Sequence, residues 1–342
     1  MVIGLALIIL AVLVMPLVSK LIERNLELFL FVMGLCATLV SRVWIVKHNF
    51  NTGLFIKVIK SPLSITCAVF IAGLFFTVFQ YHIRKIIEKI LKVISMKLFF
   101  FFMIIILGLA SGLITAIISA LILVEIVNTL NLERKQEISL VIIACFSIGF
   151  GAVLTPVGEP LATIAISKLG KDFWYLFRLL GIYIIPGIVT MAGFAYYHIK
   201  PQRKPASFVD ENECANFKEI FIRALKVYIF VMALVMLSEG FKPVIDRYVI
   251  GLNSKTLFWL NMISAILDNA TLTAAEISNM MTPTQIKSIL LGLLISGGML
   301  IPGNIPNIIS AGKLKIKSRE WAKLGVPLGL CIMSIYFVIL CL

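Results

Sequence analysis

The stretch SAILDNATLTAAE, Ser264 to Glu276, sets two carboxylates, an amide and several hydroxyls inside sequence that is otherwise as apolar as lipid. An ionisable group at bilayer depth costs about 2.5–3.5 kcal/mol on insertion scales, so it persists where it faces protein, water or a ligand. Asp268 is therefore the first functional candidate. Asn269, Thr273 and Glu276 recur at helical spacing on one face, with Asp268 and Thr271 adjoining it, so a helix here carries a polar stripe. The deep acids of the apolar segments are Glu125, Glu159, Asp268 and Glu276, without a Lys or Arg among the deep positions. Carboxylates with neutral oxygens suit a hard cation and penalise an anion. Desolvation favours the protonated carboxyl and a bound cation the ionised one, so proton and cation compete for such a site.

The elements that must hold these residues are set by composition. The chain has 342 residues, 60% of them hydrophobic and 14% charged, with a mean hydropathy of +1.04. That places it among polytopic membrane proteins. The net charge of +14 sits in short clusters between apolar runs, as orientation signals facing lipid do, and nucleic-acid binding is not expected. Val2 to Val18 lacks a basic leader and a small-residue cleavage site and reads as a retained span. The six cysteines have no paired spacing and read as small hydrophobes.

Residues 1–61 hold two spans, to Val18 and from Leu28 to Val40, and a mixed segment from Val43 to Lys60 that suits a membrane interface. Residues 62–200 follow: a span from Pro62 to Gln80, a basic segment from Tyr81 to Lys97, and an uncharged run from Leu98 to Leu130 with basic flanks on both sides. That run is too long for one crossing and is interrupted at Ser111, Gly112, Thr115 and Ser119, which predicts a re-entrant helical hairpin. Ile138 to Leu169 is broken by GFGAVLTPVGEP, where glycines and prolines forbid a continuous helix and strand Thr155 and Glu159 in the gap. Phe173 to Tyr197 is an ordinary span, and residues 201–216 form a polar linker.

Residues 217–342 repeat the programme. Ile220 to Leu237 is a span, Phe241 to Lys255 an amphipathic connection, Thr256 to Met281 a hairpin interrupted at Asp268 and Asn269, Gln285 to Gly312 a helix broken by GGMLIPGNIPN, and Trp321 to Leu340 a last span. Gly151, Leu154, Pro156, Pro160 and Ala165 align without gaps on Gly297, Leu300, Pro302, Pro306 and Ala311, and Ser111 aligns with Ser264. The expectation is an all-α membrane protein of two repeats, each with a re-entrant hairpin and a broken helix. Placing Tyr81 to Lys97, Arg134 with Lys135, Lys200 to Lys204 and Lys313 to Arg319 inside makes the repeats oppositely oriented. Arg42, Lys47, Lys57 and Lys60 are the exception.

This duplication, with the motifs SAILDNATLTAAE, TPVGEP and PGNIPN, resembles the ion-transporter superfamily of arsenite, citrate and D-type sodium/proton antiporters, and within it a branch of predicted prokaryotic cation transporters. The resemblance covers Pro62 to the C-terminus. It implies an ion site lined by Asp268, Asn269, Thr271, Asn304 and Asn307, with sodium on Asp268, Asn269 and Asn304, and dimerisation through spans outside the site. Thr273, Thr155, Thr115 and Ser119 are further candidates, and Asp268 and Glu159 the proton-coupling pair. Thr115 and Ala116 stand where the second hairpin has Asp268 and Asn269, so one half holds most of the charge.

Each residue also has a plainer role open to it. Glu159 can cap a half-helix, Asn304 and Asn307 can satisfy unwound backbone, Ser111, Thr115 and Ser119 can be packing contacts, and Glu125 and Glu276 can be solvated near a membrane face. An intramembrane protease is not expected, because His48, His82 and His198 lie at membrane edges, no HExxH occurs, and Asp268 has no second Asp in an apolar run. The expected function is a multi-pass sodium/proton antiporter of the cytoplasmic membrane, its ligands being the transported ions and its surroundings lipid. An oxyanion or carboxylate carrier of the same fold and a channel stay open, since half-helix N-termini also attract anions. Asp268→Asn is expected to leave the chain folded and to abolish cation-dependent proton flux in proteoliposomes; undiminished flux removes Asp268 from the mechanism.

Overall fold

A computed structural model describes residues 2–19, 21–22, 25–46, 49–60, 62–63, 66–67, 70–71, 74, 89–91, 93–200, 217–248, 252–266, 269–277 and 281–341. Asp268, the linker 201–216, and most of the Pro62–Gln80 span and the Tyr81–Lys97 segment lie outside the described residues. The described chain is almost wholly helical. Helices α1 (Val2–Val18) and α2 (Leu26–Val40) precede a minimal antiparallel pairing of β1 (Ile45–Val46) with β2 (Asn49–Phe50). Then come α3 (Met96–Ile114), α4 (Ala116–Leu130), α5 (Arg134–Ala152), α6 (Pro160–Leu169), α7 (Tyr175–His198) and α8 (Phe217–Tyr248). The chain closes with α9 (Ser254–Leu260), a 3-10 turn (Asn261–Ala265), α10 (Asn269–Glu276), α11 (Pro283–Gly297), a second 3-10 turn (Ile301–Gly303), α12 (Ile305–Leu314) and α13 (Ser318–Cys341). Among the described residues, α3, α5, α7, Ile220–Val244 within α8, and α13 are long and apolar enough to cross a membrane.

Local chemistry places the ends. Ser95 caps α3 by accepting from the Leu98 amide, and α3 stops at Thr115, whose φ of 78° no helix can continue. Thr115 then caps α4 with its own hydroxyl, which accepts from the Ile118 amide. A β-branched residue at positive φ is strained, so its neighbours must hold it there. Pro160 sits in the first turn of α6, where its missing N–H costs nothing, and Thr282 with Gln285 forms a capping box at the start of α11.

Helices α5 and α11 are buried on nearly every side and form the centre, as helices without a polar face must. Against α5 lies α3. Ser147 Oγ donates to the Ile104 carbonyl, Ser111 Oγ to the Ile148 carbonyl and Thr155 Oγ1 to the Gly112 carbonyl. Residue numbers rise together along both helices, so α3 and α5 run parallel and α4 returns between them. The same bond recurs further on, from Ser264 Oγ to the Leu293 carbonyl at 2.9 Å against 2.8 Å for Ser111. Asn261 and Glu276 also meet, at 3.0 Å, where a straight helix of that length would separate them by about 22 Å.

The two broken segments share one backbone course. Val153 (φ −75°, ψ −17°) matches Gly298 (−74°, −18°), Glu159 (−156°, 159°) matches Asn304 (−151°, 149°), and Gly170 (59°, 36°) matches Lys315 (52°, 39°). Each pair is 145 residues apart (298−153, 304−159, 315−170), one fewer than the residue identities, so the side chains slip by one place against the backbone. Packing between the segments is reciprocal: α6 lies on α10, and α12 lies on α4. Arg134 at the start of α5 reaches the carbonyls of Leu314 and Lys315 at the end of α12 and pairs with Glu137 and Glu320, a cation at a helix C-terminus.

One boundary differs from the sequence expectation. A span ending at Leu237 and a separate segment from Phe241 are replaced by the single helix α8 of 32 residues, continuous through Gly240 and Pro243. Gly240 is there for close approach: a Cβ on it would lie 2.7 Å from the main chain of Ala37 in α2, and one on Gly34 would lie 2.8 Å from the Ala233 carbonyl. Lys226 pairs with Glu27 across the same contact. Helical residues 52–60 bury Leu54 and Val58 against Val235 and Met236 of α8, with Lys57 paired to Glu239.

A Cβ on Gly151 would fall on the Gly108 carbonyl, which is main chain and cannot move aside. Gly151→Ala is expected to lower the stability of the detergent-solubilised protein by about 1–3 kcal/mol. Gly181→Ala, on α7 with nothing near the new methyl, is expected to be neutral or stabilising by about 0.5–1 kcal/mol.

Candidate functional site

Both breaks and the start of α10 converge on one small cavity. Its walls are Glu159, Pro160 and Leu161 at the start of α6, Asn269 and Ala270 at the start of α10, Pro302, Gly303 and Asn304 in the second break, Ile305 and Ile308 of α12, and Leu234 of α8. Three helices begin at this cavity, and helix N-termini bring amide hydrogens and partial positive charge. Among the described lining residues Glu159 is the one that carries a formal charge.

Glu159 and Asn304 hold equivalent places, each the N-cap residue of the half-helix after a break, in extended backbone. They differ in use. Asn304 Oδ1 accepts from the Ile305 amide at 2.8 Å and caps α12. The Glu159 carboxylate makes no capping bond to α6. Both side chains are buried, as is Asn269. Gly149 makes room for Asn304, whose Nδ2 lies 2.8 Å from where a Cβ on Gly149 would stand. Gly297 does the same for Asn269, at 2.7 Å.

Asn269 is held from behind. Ser264 Oγ donates to its Oδ1 at 2.6 Å, and Ser264 contacts Ser296 Oγ at 2.9 Å. Its Nδ2 is buried without a partner among the described residues. Thr271 is on α10.

Other expected site residues are occupied elsewhere. Asn307 Nδ2 donates to the carbonyls of Gly297 at 2.8 Å and Leu300 at 2.9 Å, bracing the second break, and Asn307 is absent from the cavity wall. Thr155 Oγ1 donates to the Gly112 carbonyl and the Ala116 amide to the Gly158 carbonyl at 2.9 Å, so the first helix junction is docked onto the first break. Thr273 Oγ1 donates within its own helix, to the Asn269 carbonyl at 2.8 Å. Thr115 caps α4, and Ser119 is fully buried on α4, its hydroxyl without a partner among the described residues. Of the ten expected residues, Glu159, Asn269 and Asn304 line the cavity, and Asp268 lies outside the described residues.

Two residues that sequence reasoning passed over belong to the surroundings. Asn261 binds Glu276 and receives Ser296 Oγ on its carbonyl at 2.6 Å. Its signal was an amide inside the apolar run LFWLNMISA. Ser296 occupies the backbone place of Gly151, 145 residues on, and there the serine hydroxyl makes a bond where the glycine permits bare contact.

Asn307→Leu is expected to strand two buried carbonyls and destabilise the protein by about 1–3 kcal/mol for each. Asn304→Ser keeps a capping oxygen and is expected to cost a few tenths of a kcal/mol or about that in thermal unfolding while still disturbing the cavity.

The chain belongs to the family described as Protein of unknown function (DUF1646), whose model matches residues 2–342. No curated protein matches the chain.

Proposed function

We propose that this member of the DUF1646 family is a secondary active transporter of the cytoplasmic membrane that exchanges a small monovalent cation, sodium foremost, for protons. The observation that carries the reading is the cavity between Glu159, Asn269 and Asn304, where two unwound segments and a helix start bring a carboxylate and two amides together in buried surroundings. Asp268, next to Asn269 in sequence, joins them on sequence grounds. A carboxylate here is tolerable when it holds a cation or a proton, and exclusion of one by the other couples the two fluxes.

Architecture supports alternating access. Matching helix ends at a constant separation, the repeated serine bond and the reciprocal packing favour two duplicated halves, each with a re-entrant hairpin and a broken crossing helix. The basic clusters orient these halves oppositely. Rocking of one half against the other would expose the cavity to each side in turn.

A second reading has one observation in its favour. The unpartnered Nδ2 of Asn269 and the helix starts around it offer donors, which suit an oxyanion or carboxylate. The Glu159 carboxylate opposes it. Purified protein in proteoliposomes, given sodium, lithium, potassium and small oxyanions under an imposed pH gradient, separates the two.

In that assay Glu159→Gln is expected to fold normally and to lose cation-driven proton flux. In the native chain the apparent cation affinity is expected to weaken as pH falls, by about tenfold per pH unit once protons dominate the carboxyl. Oxyanion-driven flux that survives Glu159→Gln, with no cation response in the native chain, overturns the cation reading.

A further inference from the structure

A second buried acid lies behind the cavity. Glu276, at the end of α10, is 3% exposed, and its Oε2 accepts from Asn261 Nδ2 at 3.0 Å. The other end of that amide, Asn261 Oδ1, is buried without a partner among the described residues. This pairing has two satisfactory forms. An ionised Glu276 takes a hydrogen bond from Nδ2, as observed; a protonated Glu276 can donate one to Oδ1 once the amide turns over. An unused acceptor beside an acid is what the second form requires.

The pair is connected to the cavity. Ser296 Oγ donates to the main-chain carbonyl of Asn261 at 2.6 Å, Ser296 and Ser264 share a contact of 2.9 Å, and Ser264 Oγ reaches Asn269 Oδ1 at 2.6 Å. The hydroxyls have more acceptors than protons: Ser264 also faces the Leu293 carbonyl at 2.9 Å, and Ser296 the Gly292 carbonyl at 2.6 Å. Two hydroxyl protons among those acceptors can be arranged in more than one way, and Asn261 carries both the side-chain amide that meets Glu276 and the main-chain carbonyl that Ser296 uses. One arrangement ties up Asn269 Oδ1, and another leaves it to a guest.

Of the charged groups on the helices packed against α10, four have engagements of their own, and Lys218 and Lys242 of α8 are exposed. Lys168 of α6 donates to the Ile277 carbonyl at 3.3 Å, next to Glu276. Lys287 of α11 is turned to Tyr183, and Lys226 and Glu239 of α8 pair with Glu27 and Lys57. Among the described residues, Asn261 is the bonded partner of the Glu276 carboxyl.

We propose that Glu276 is a proton-binding site separate from the cation cavity, taking a proton from water on one side of the membrane and returning it on the other, and that Asn261, Ser296 and Ser264 couple its occupancy to Asn269. The inference rests on the cation/proton reading above and adds a second proton to it: one displaced by the cation at Glu159, Asn269 and Asn304, and one carried at Glu276.

The test compares Glu276→Gln with Glu276→Asp in proteoliposomes, reading sodium–sodium exchange with a tracer and sodium-driven proton flux with a pH dye. Expected for Glu276→Gln is a fall in the protons moved per sodium with tracer exchange retained, which also certifies the fold; Glu276→Asp, which keeps a carboxyl, recovers part of that loss. Native proton flux in Glu276→Gln, or loss of both signals in both variants, overturns the inference and leaves the cation cavity standing. Absence of tracer exchange in the native protein overturns the cation reading, and this inference with it.

Discussion

A main chain that leaves its helix inside an apolar slab exposes amides and carbonyls that water cannot reach, and everything near the centre of this protein answers that constraint. The chain does so at residues 153–159 and again at 298–304. Short polar side chains make good the loss: Thr155 on the Gly112 carbonyl, Asn307 on those of Gly297 and Leu300, Asn304 on the Ile305 amide. Each is bound at short range to main chain, so each break has one defined course. That the two courses agree in dihedral angle at both ends and at the cap follows from the same requirement solved twice.

Once the backbone is satisfied, what remains is the site. Thr115, Thr155 and Thr273 have their hydroxyls engaged by caps and carbonyls and Asn307 its Nδ2, whereas Glu159, Asn269 and Asn304 line the cavity. Symmetry and chemistry part company here. The two N-cap positions carry a carboxylate in one segment and an amide in the other, and Ala116 takes in the first junction the place that Asn269 takes in the second.

How much of this was legible in the sequence depends on what carried the signal. Glycine and proline mark the breaks because few other residues break a helix, and the structure puts the breaks at GFGAVLTPVGEP and GGMLIPGNIPN. The convergence of Glu159 with Asn269 and Asn304 was legible as polarity in apolar runs. Gly240 misled, because a glycine that lets two helices touch looks the same in sequence as one that ends a helix, and α8 passes straight through it. The offset of 145 was hidden by identities spaced at 146, since those identities report shared residues and the caps report shared backbone. Asn307 could be read as a ligand or as a satisfier of unwound backbone, and that its Nδ2 braces the carbonyls of Gly297 and Leu300 is something no spacing reveals.

The cavity wall is drawn from both halves of the chain: Glu159 from residues before the linker, Asn269 and Asn304 from residues after it. A guest bound by all three bridges the halves, and its binding energy differs between any two arrangements that change their separation. Only such a difference can shift a population of conformations; a site built wholly within one half would move as a body and report nothing. The reciprocal packing of α6 on α10 and α12 on α4 ties each half-helix to the opposite half, so opening the cavity disturbs both contacts together. Against this α8, fixed to α2 through Gly34 and Gly240 and contributing Leu234 to the wall, is the surface past which the remaining helices would have to move. Straddling the boundary is thus what, on the function proposed above, would let a small ion govern the arrangement of a much larger assembly of helices.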